Sequence, residues 1–150
     1  MLAPPTLTAR LNVPHCTKMA LIHDMAESVV GDITPVDTEV TKEEKARRET
    51  EVMDYISKTL LGRVYGGVAG ADMRRIWQEY EDNETLDAKF VHDVDKIELL
   101  LQMVEYERAR KINLEEFCRV AKRIELPEVK EWADQVLEER RVFWQKQGGA

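Results

Sequence analysis

An all-α fold, a single domain of five or six helices, is what the sequence predicts, and three observations carry it. Apolar residues recur three and four apart through every long segment. No segment alternates apolar and polar positions as a half-buried strand would. Helix punctuation is frequent: prolines stand before the first and last patterns, Gly31 follows the first, and Thr41 precedes Glu44 at capping-box spacing. With 150 residues, 43% of them apolar and 34% charged, the chain is long enough to bury a core as one domain, taken as residues 1–150.

Taken in order, the start holds Pro4, Pro5 and Pro14 and reads as a loop with a short turn near residues 8–11. The first helix is expected over 16–30, with Met19, Ile22, Met25, Ala26 and Val29 at helical spacing and Gly31 as its stop. A loop with Pro35 spans 32–40. Thr41 caps a helix over 42–61, with Ala46, Glu49/Thr50, Met53, Ile56 and Leu60 along one side and a solvated charged face in its first half. Gly62, Gly66, Gly67 and Gly70 form a flexible loop without the spacing of a phosphate cradle. A short helix over 72–81 carries Met73, Ile76, Trp77 and Tyr80. Asn83 is placed to cap a long helix over 84–110, which has apolar residues on two sides and so belongs at the centre. A short amphipathic helix over 113–122 follows. Pro127 suits the first turn of a last helix over 128–147, with Trp132, Val136, Phe143 and Trp144 available for burial.

A net charge of −7 argues against a nucleic-acid surface, which needs a basic stripe. No apolar run approaches the ~20 residues of a membrane span, and no signal peptide is expected. Cys16 and Cys118 form no CxxC or disulfide framework, which points to free thiols in a reducing, cytoplasmic or nuclear compartment.

Within the first helix, His23, Asp24 and Glu27 interrupt an apolar run and share one side. A hydrogen-bonded core histidine would explain His23 alone. Three titratable groups on a helix that otherwise wants burial are also what a divalent metal would relieve. The pair His-Asp recurs at His92-Asp93, so the dipeptide by itself carries little weight.

The longer string decides more. From His23 to Pro35 the chain reads HDxxExxxGDxxP, and Glu79-Tyr80-Glu81 and Lys89 to Lys96 follow downstream. Together these resemble the HD-domain metal-dependent phosphohydrolases, most closely their 5'-deoxynucleotidase branch, over nearly the whole chain. The resemblance implies an HD-domain helical bundle that hydrolyses deoxynucleoside 5'-monophosphates with a divalent cation (Mn²⁺, Co²⁺ or Mg²⁺), as a homodimer. It implies His23, Asp24 and Asp95 as metal ligands. Helical phase leaves Asp93 and Asp95 both open, and the family pattern selects Asp95. It implies Glu27 as the catalytic acid/base, with Asp32 and Glu79 at the substrate. Family members carry a further metal His upstream, and His15 does not match its position. The chain therefore reads as shortened at its N-terminus, with metal binding and activity expected to be weakened. Two other functions fit parts of the pattern: an HD-type hydrolase of a cyclic nucleotide or alarmone, and a non-catalytic helical dimerisation module.

Overall fold

The computed structural model describes residues 3–33 and 40–148. Within them seven α-helices are joined by a π-helical turn and two 3-10 segments, and there is no strand. Pro5 opens α1 (Pro5–Thr8), and Pro14 sits in the first turn of α2 (Val13–Ile22), where a missing N–H costs no hydrogen bond. The helix expected over 16–30 is broken. Residues 23–26 form a turn, and a separate α3 (Glu27–Val30) follows. Gly31 ends α3 at φ 85°, as its place in the sequence predicts. Val29, expected in the apolar face, is 68% exposed. Thr34 and Pro35 of the motif, and most of the expected loop, lie outside the described residues.

In α4 (Lys42–Asp54) the Thr41 hydroxyl accepts the Glu44 N–H at 3.2 Å, which is the expected cap. The charged first half is not simply a solvated face. Glu49 is buried and Lys45 half-buried, whereas Ala46 and Leu60 are exposed. Beyond Asp54 the chain widens into a π-helical turn, Tyr55–Leu60. This turn lies against Gly70 of α5 (Val68–Asp82), where a Cβ would come within 2.1 Å of the Ser57 carbonyl oxygen. Gly70 is thus part of a helix rather than a loop, and glycine is what lets the two backbones meet. Tyr65 and Gly66 make the left-handed step ahead of α5. Asn83 closes α5 at φ 50°, donating its N–H to the Glu79 and Tyr80 carbonyls, instead of opening the next helix. The long helix is α6 (Leu86–Arg110). The segment expected as α over 113–122 is a 3-10 helix, Glu115–Arg123, and the chain ends in α7 (Pro127–Gly148).

The chain divides into two compact units, residues 13–85 and residues 1–12 with 86–150. In the first, Ala26, Met53 and Trp77 are buried together, with Ile22, Met25, Val52, Ile56 and Met73 packed around them. These side chains come from α2, α4 and α5, from the turn at residues 23–26 and from the π-helical turn. In the second, α6 packs on α7 and on the 3-10 helix. Buried residues there include Phe90, Leu100, Val104, Ile124 and Val129. Two carboxylates of α6 are fully buried in this unit. Asp93 accepts the Glu125 and Leu126 N–H groups at 2.8–3.1 Å, and Lys96 Nζ at 3.2 Å, so it caps the start of α7. Glu107 accepts from Arg140 and Trp144 further along α7. The two helices therefore run in the same direction, and the 3-10 segment returns the chain between them. No helix among the described residues is long and apolar enough to cross a membrane, and both cysteines are free thiols.

Candidate active site

The break after α2 is made by His23 itself. Its Nδ1 lies 2.9 Å from the Ala20 carbonyl oxygen, and only an N–H can make that bond, so Nδ1 donates. The side chain takes up a carbonyl near the helix end, and the backbone tightens to three-residue bonds: Met25 N–H to Ile22, Glu27 N–H to Asp24, Val29 N–H to Ala26. The turn places His23, Asp24 and Glu27 in one short stretch. Tyr80 of α5 lies beside the imidazole, ring centroids 4.8 Å apart.

With Nδ1 committed as donor, Nε2 carries the lone pair of a neutral ring, and it lies 2.9 Å from Asp24 Oδ2. Two acceptors do not sit at that distance without a positive charge shared between them. Either a proton on Nε2 or a cation answers the need. A metal-ligating histidine donates its other ring N–H to a carbonyl or carboxylate, as Nδ1 does here to Ala20, and that leaves Nε2 as the ligand atom beside Asp24. His23 and Asp24 therefore fit a divalent cation. The His23 hydrogen bond holds the Asp24 carboxyl below the usual carboxylate range.

Glu27 begins α3 half-buried, and Lys45 donates to its Oε1 at 3.2 Å. Desolvation pushes the Glu27 carboxyl up, Lys45 opposes this, and the charges of Asp24 and Asp32 add to the rise. Lys45 also donates to the Ile33 carbonyl at 3.1 Å and lies 3.5 Å from Glu49 Oε1. Burial works against the ammonium, but Glu27 and Glu49 outweigh it and hold Lys45 above the ordinary lysine range. Glu81 of α5 belongs to the same electrostatic neighbourhood. Its carboxyl is pushed up by desolvation and by Glu49, against the pull of Lys45 and His23.

Asp32 is exposed, one residue beyond Gly31. Glu79 accepts from His15 Nε2 at 2.8 Å and from the Thr85 hydroxyl at 2.8 Å. It lines a cleft of about 970 Å³ with Arg74, Arg75 and Gln78, whose described lining contains none of His23, Asp24, Glu27 or Asp32. Asp95 is exposed on α6, in the second unit, whereas Asp93 has its oxygens taken up by the start of α7. Lys45 stands in a run that reads as solvated charge, although Glu49 further along shares a side with Met53. The signal is phase: 45, 49 and 53 lie on one face, and Met53 at its end is fully buried.

A family model described as "HD domain" matches residues 1–132. The chain is 44% identical to the 5'-deoxynucleotidase hdd1 of Schizosaccharomyces pombe over 89% of its own length and 68% of that protein's. It is 40% identical to the 5'-deoxynucleotidase YBR242W of Saccharomyces cerevisiae, over 91% of its length and 57% of that protein's. To the 5'-deoxynucleotidase HDDC2 of Xenopus laevis it is 36% identical, over 93% and 68%. The solved HD domain-containing protein YGK1 superposes with a TM-score of 0.76 and 31% identity, covering 97% of this chain and 72% of that one.

Proposed function

The chain belongs to the HD-domain family, and from that premise we propose that it hydrolyses deoxynucleoside 5'-monophosphates to nucleoside and phosphate with a divalent cation. The observation that carries this is the turn at the end of α2, where an imidazole with a fixed donor nitrogen faces a carboxylate 2.9 Å away and Glu27 follows three residues on. Relatives at 36–44% identity bear the name 5'-deoxynucleotidase, and Mn²⁺, Co²⁺ and Mg²⁺ are the cations expected.

His23, Asp24 and Asp95 are the proposed holders of the cation. Such a cation supplies Lewis acidity at the phosphoryl group and offsets its negative charge, which matters in a chain of net charge −7. Glu27 moves the proton: it takes one from the attacking water or gives one to the leaving 5'-oxygen as the P–O bond breaks. Asp32 is exposed and accepts a hydrogen bond from the sugar 3'-hydroxyl, since a carboxylate facing the phosphate would repel it. Glu79, in the cleft with Arg74 and Arg75, is the outlying member of the proposed substrate contacts.

Purified protein assayed for phosphate release from a panel of nucleoside 5'-monophosphates, with added Mn²⁺ or Co²⁺, tests the proposal. Turnover preferring the deoxy series is expected. Turnover confined to cyclic nucleotides or alarmones, or none with any cation, sinks it. Calorimetric titration with Mn²⁺ tests the ligands. Asp95→Ala is expected to abolish binding, and Asp93→Ala to leave binding intact while lowering stability by roughly 2–4 kcal/mol, through two stranded N–H groups and an unpaired Lys96. The reverse ranking for binding would exchange the two assignments. A homodimer is the proposed working form, and sedimentation at the mass of a single 17.4 kDa chain would count against it.

A further inference from the structure

Lys45 occupies a place that the acid/base role of Glu27 does not by itself explain. Its ammonium reaches across from α4 to two points on either side of Gly31: the Glu27 carboxylate at 3.2 Å and the Ile33 carbonyl at 3.1 Å. Between those points Gly31 turns at φ 85°, a conformation that glycine adopts without the steric cost of a Cβ. Asp32 lies inside the span that the ammonium bridges. Glu49, one turn along α4 and buried, lies 3.5 Å from the same nitrogen and holds it from behind. The side chains of Lys45 and Glu27 are only 30% and 24% exposed, so solvent does not wholly screen the pair. A lysine set in this way spends its charge on the protein.

We propose that Lys45 is a positioning residue for the hydrolytic site, a strap whose one ammonium fixes both the Glu27 carboxylate and the Gly31–Ile33 turn that presents Asp32. This rests on the proposed function in taking Glu27 and Asp32 to be the groups that meet substrate. It goes beyond it in making the α4 lysine set the geometry of both. Lys45 contacts neither the phosphate nor the leaving oxygen. Its loss acts on kcat through Glu27 and on KM through Asp32, whereas loss of Glu27 acts on kcat alone. Arginine at 45 keeps the charge and the reach. Methionine keeps the packing of the aliphatic stem and removes both hydrogen bonds.

Steady-state kinetics with deoxyadenosine 5'-monophosphate on wild type, Lys45→Met, Lys45→Arg, Glu27→Gln and the Lys45→Met/Glu27→Gln double variant test this. Lys45→Met is expected to lose about 30-fold in kcat and to raise KM about fivefold, with Mn²⁺ binding unchanged. Lys45→Arg is expected to recover to within about fivefold of wild-type kcat. In the Glu27→Gln background, Lys45→Met is expected to lower kcat by less than about threefold more while still raising KM, because the proton carrier it positions is already gone. Wild-type kcat in Lys45→Met, or kcat losses that multiply in the double variant, overturn the proposal. A wild-type chain that hydrolyses no nucleotide refutes the proposed function instead, and the strap is then read from thermal melting. Losses of melting temperature that simply add in the double variant overturn it, and a shared loss supports it.

Discussion

Replacing Glu27 with glutamine is expected to lower kcat for a deoxynucleoside 5'-monophosphate by roughly 10²–10⁴-fold, with KM and Mn²⁺ affinity little changed. The substitution keeps the shape of the side chain and an oxygen for Lys45 Nζ, which now lies at 3.2 Å. It removes only the ability to carry a proton. The Ala26 side chain before it is packed in the core and Gly31 after it closes α3 through the Glu27 carbonyl, so the backbone there has little reason to move. A loss in kcat without a loss in melting temperature separates chemistry from folding. A glutamine variant within about threefold of wild type would remove Glu27 from the mechanism, since proton transfer by a positioned carboxyl is worth far more than that.

The largest effect on stability is expected at Glu107. This carboxylate has no exposed surface and four donors: Arg140 Nε at 2.8 Å and Nη2 at 3.0 Å, the Leu114 N–H at 2.7 Å, and the Trp144 indole N–H at 2.9 Å. Glu107→Ala leaves the Arg140 guanidinium with Asn113 Oδ1 at 2.9 Å in place of a carboxylate, strands two neutral donors, and is expected to destabilise the chain by about 3–5 kcal/mol. That is a large part of the roughly 5–15 kcal/mol that holds an ordinary domain together. Urea unfolding at pH 7 measures it, and a loss below about 1 kcal/mol would mean that Arg140 finds water or another partner. The same site predicts a pH dependence. Burial alone would raise the Glu107 carboxyl, but Arg140, the Leu114 N–H and Trp144 outweigh it and hold it below the usual range. A depressed folded-state pKa contributes stability that is present above the unfolded value, about 4.3, and is lost as pH falls through the folded one. The stability gap between wild type and Glu107→Gln should therefore be widest near neutrality and narrow as the pH drops below about 4.3. A gap that stays constant from pH 7 to pH 3 would contradict this.

Much of the candidate site is legible in the sequence because its residues stand close together there. His23, Asp24, Glu27, Gly31 and Asp32 fall in one string, and Gly31 does turn with positive φ. The break at His23 could not be read. It has no proline or glycine as its sign and follows from a side chain bonding a carbonyl three residues back. The fates of Asp93 and Asp95 differ for a reason the helix pattern does not hold. The N–H groups that claim Asp93 come from Glu125 and Leu126, more than thirty residues on. Lys45 was missed because a run rich in Lys, Arg and Glu reads as solvent-facing throughout, although Arg47 and Arg48 face out and Lys45 does not. The long helices were legible from periodicity. The π-helical turn was not, since it depends on a glycine in the next helix meeting the Ser57 backbone.

The two interior acids of α6 have a consequence for how α7 is seated. Apolar ridges alone permit several nearly equivalent alignments of parallel helices, offset by one turn, or about 5.4 Å. Asp93 grips the entrance of α7, and Glu107 grips it again at Arg140, about 21 Å further along. Sliding α7 by one turn would strand both carboxylates at once, so every neighbouring alignment is penalised twice. The pair acts as a register lock: the hydrophobic contacts hold the helices together, and the acids choose which of the possible alignments is occupied.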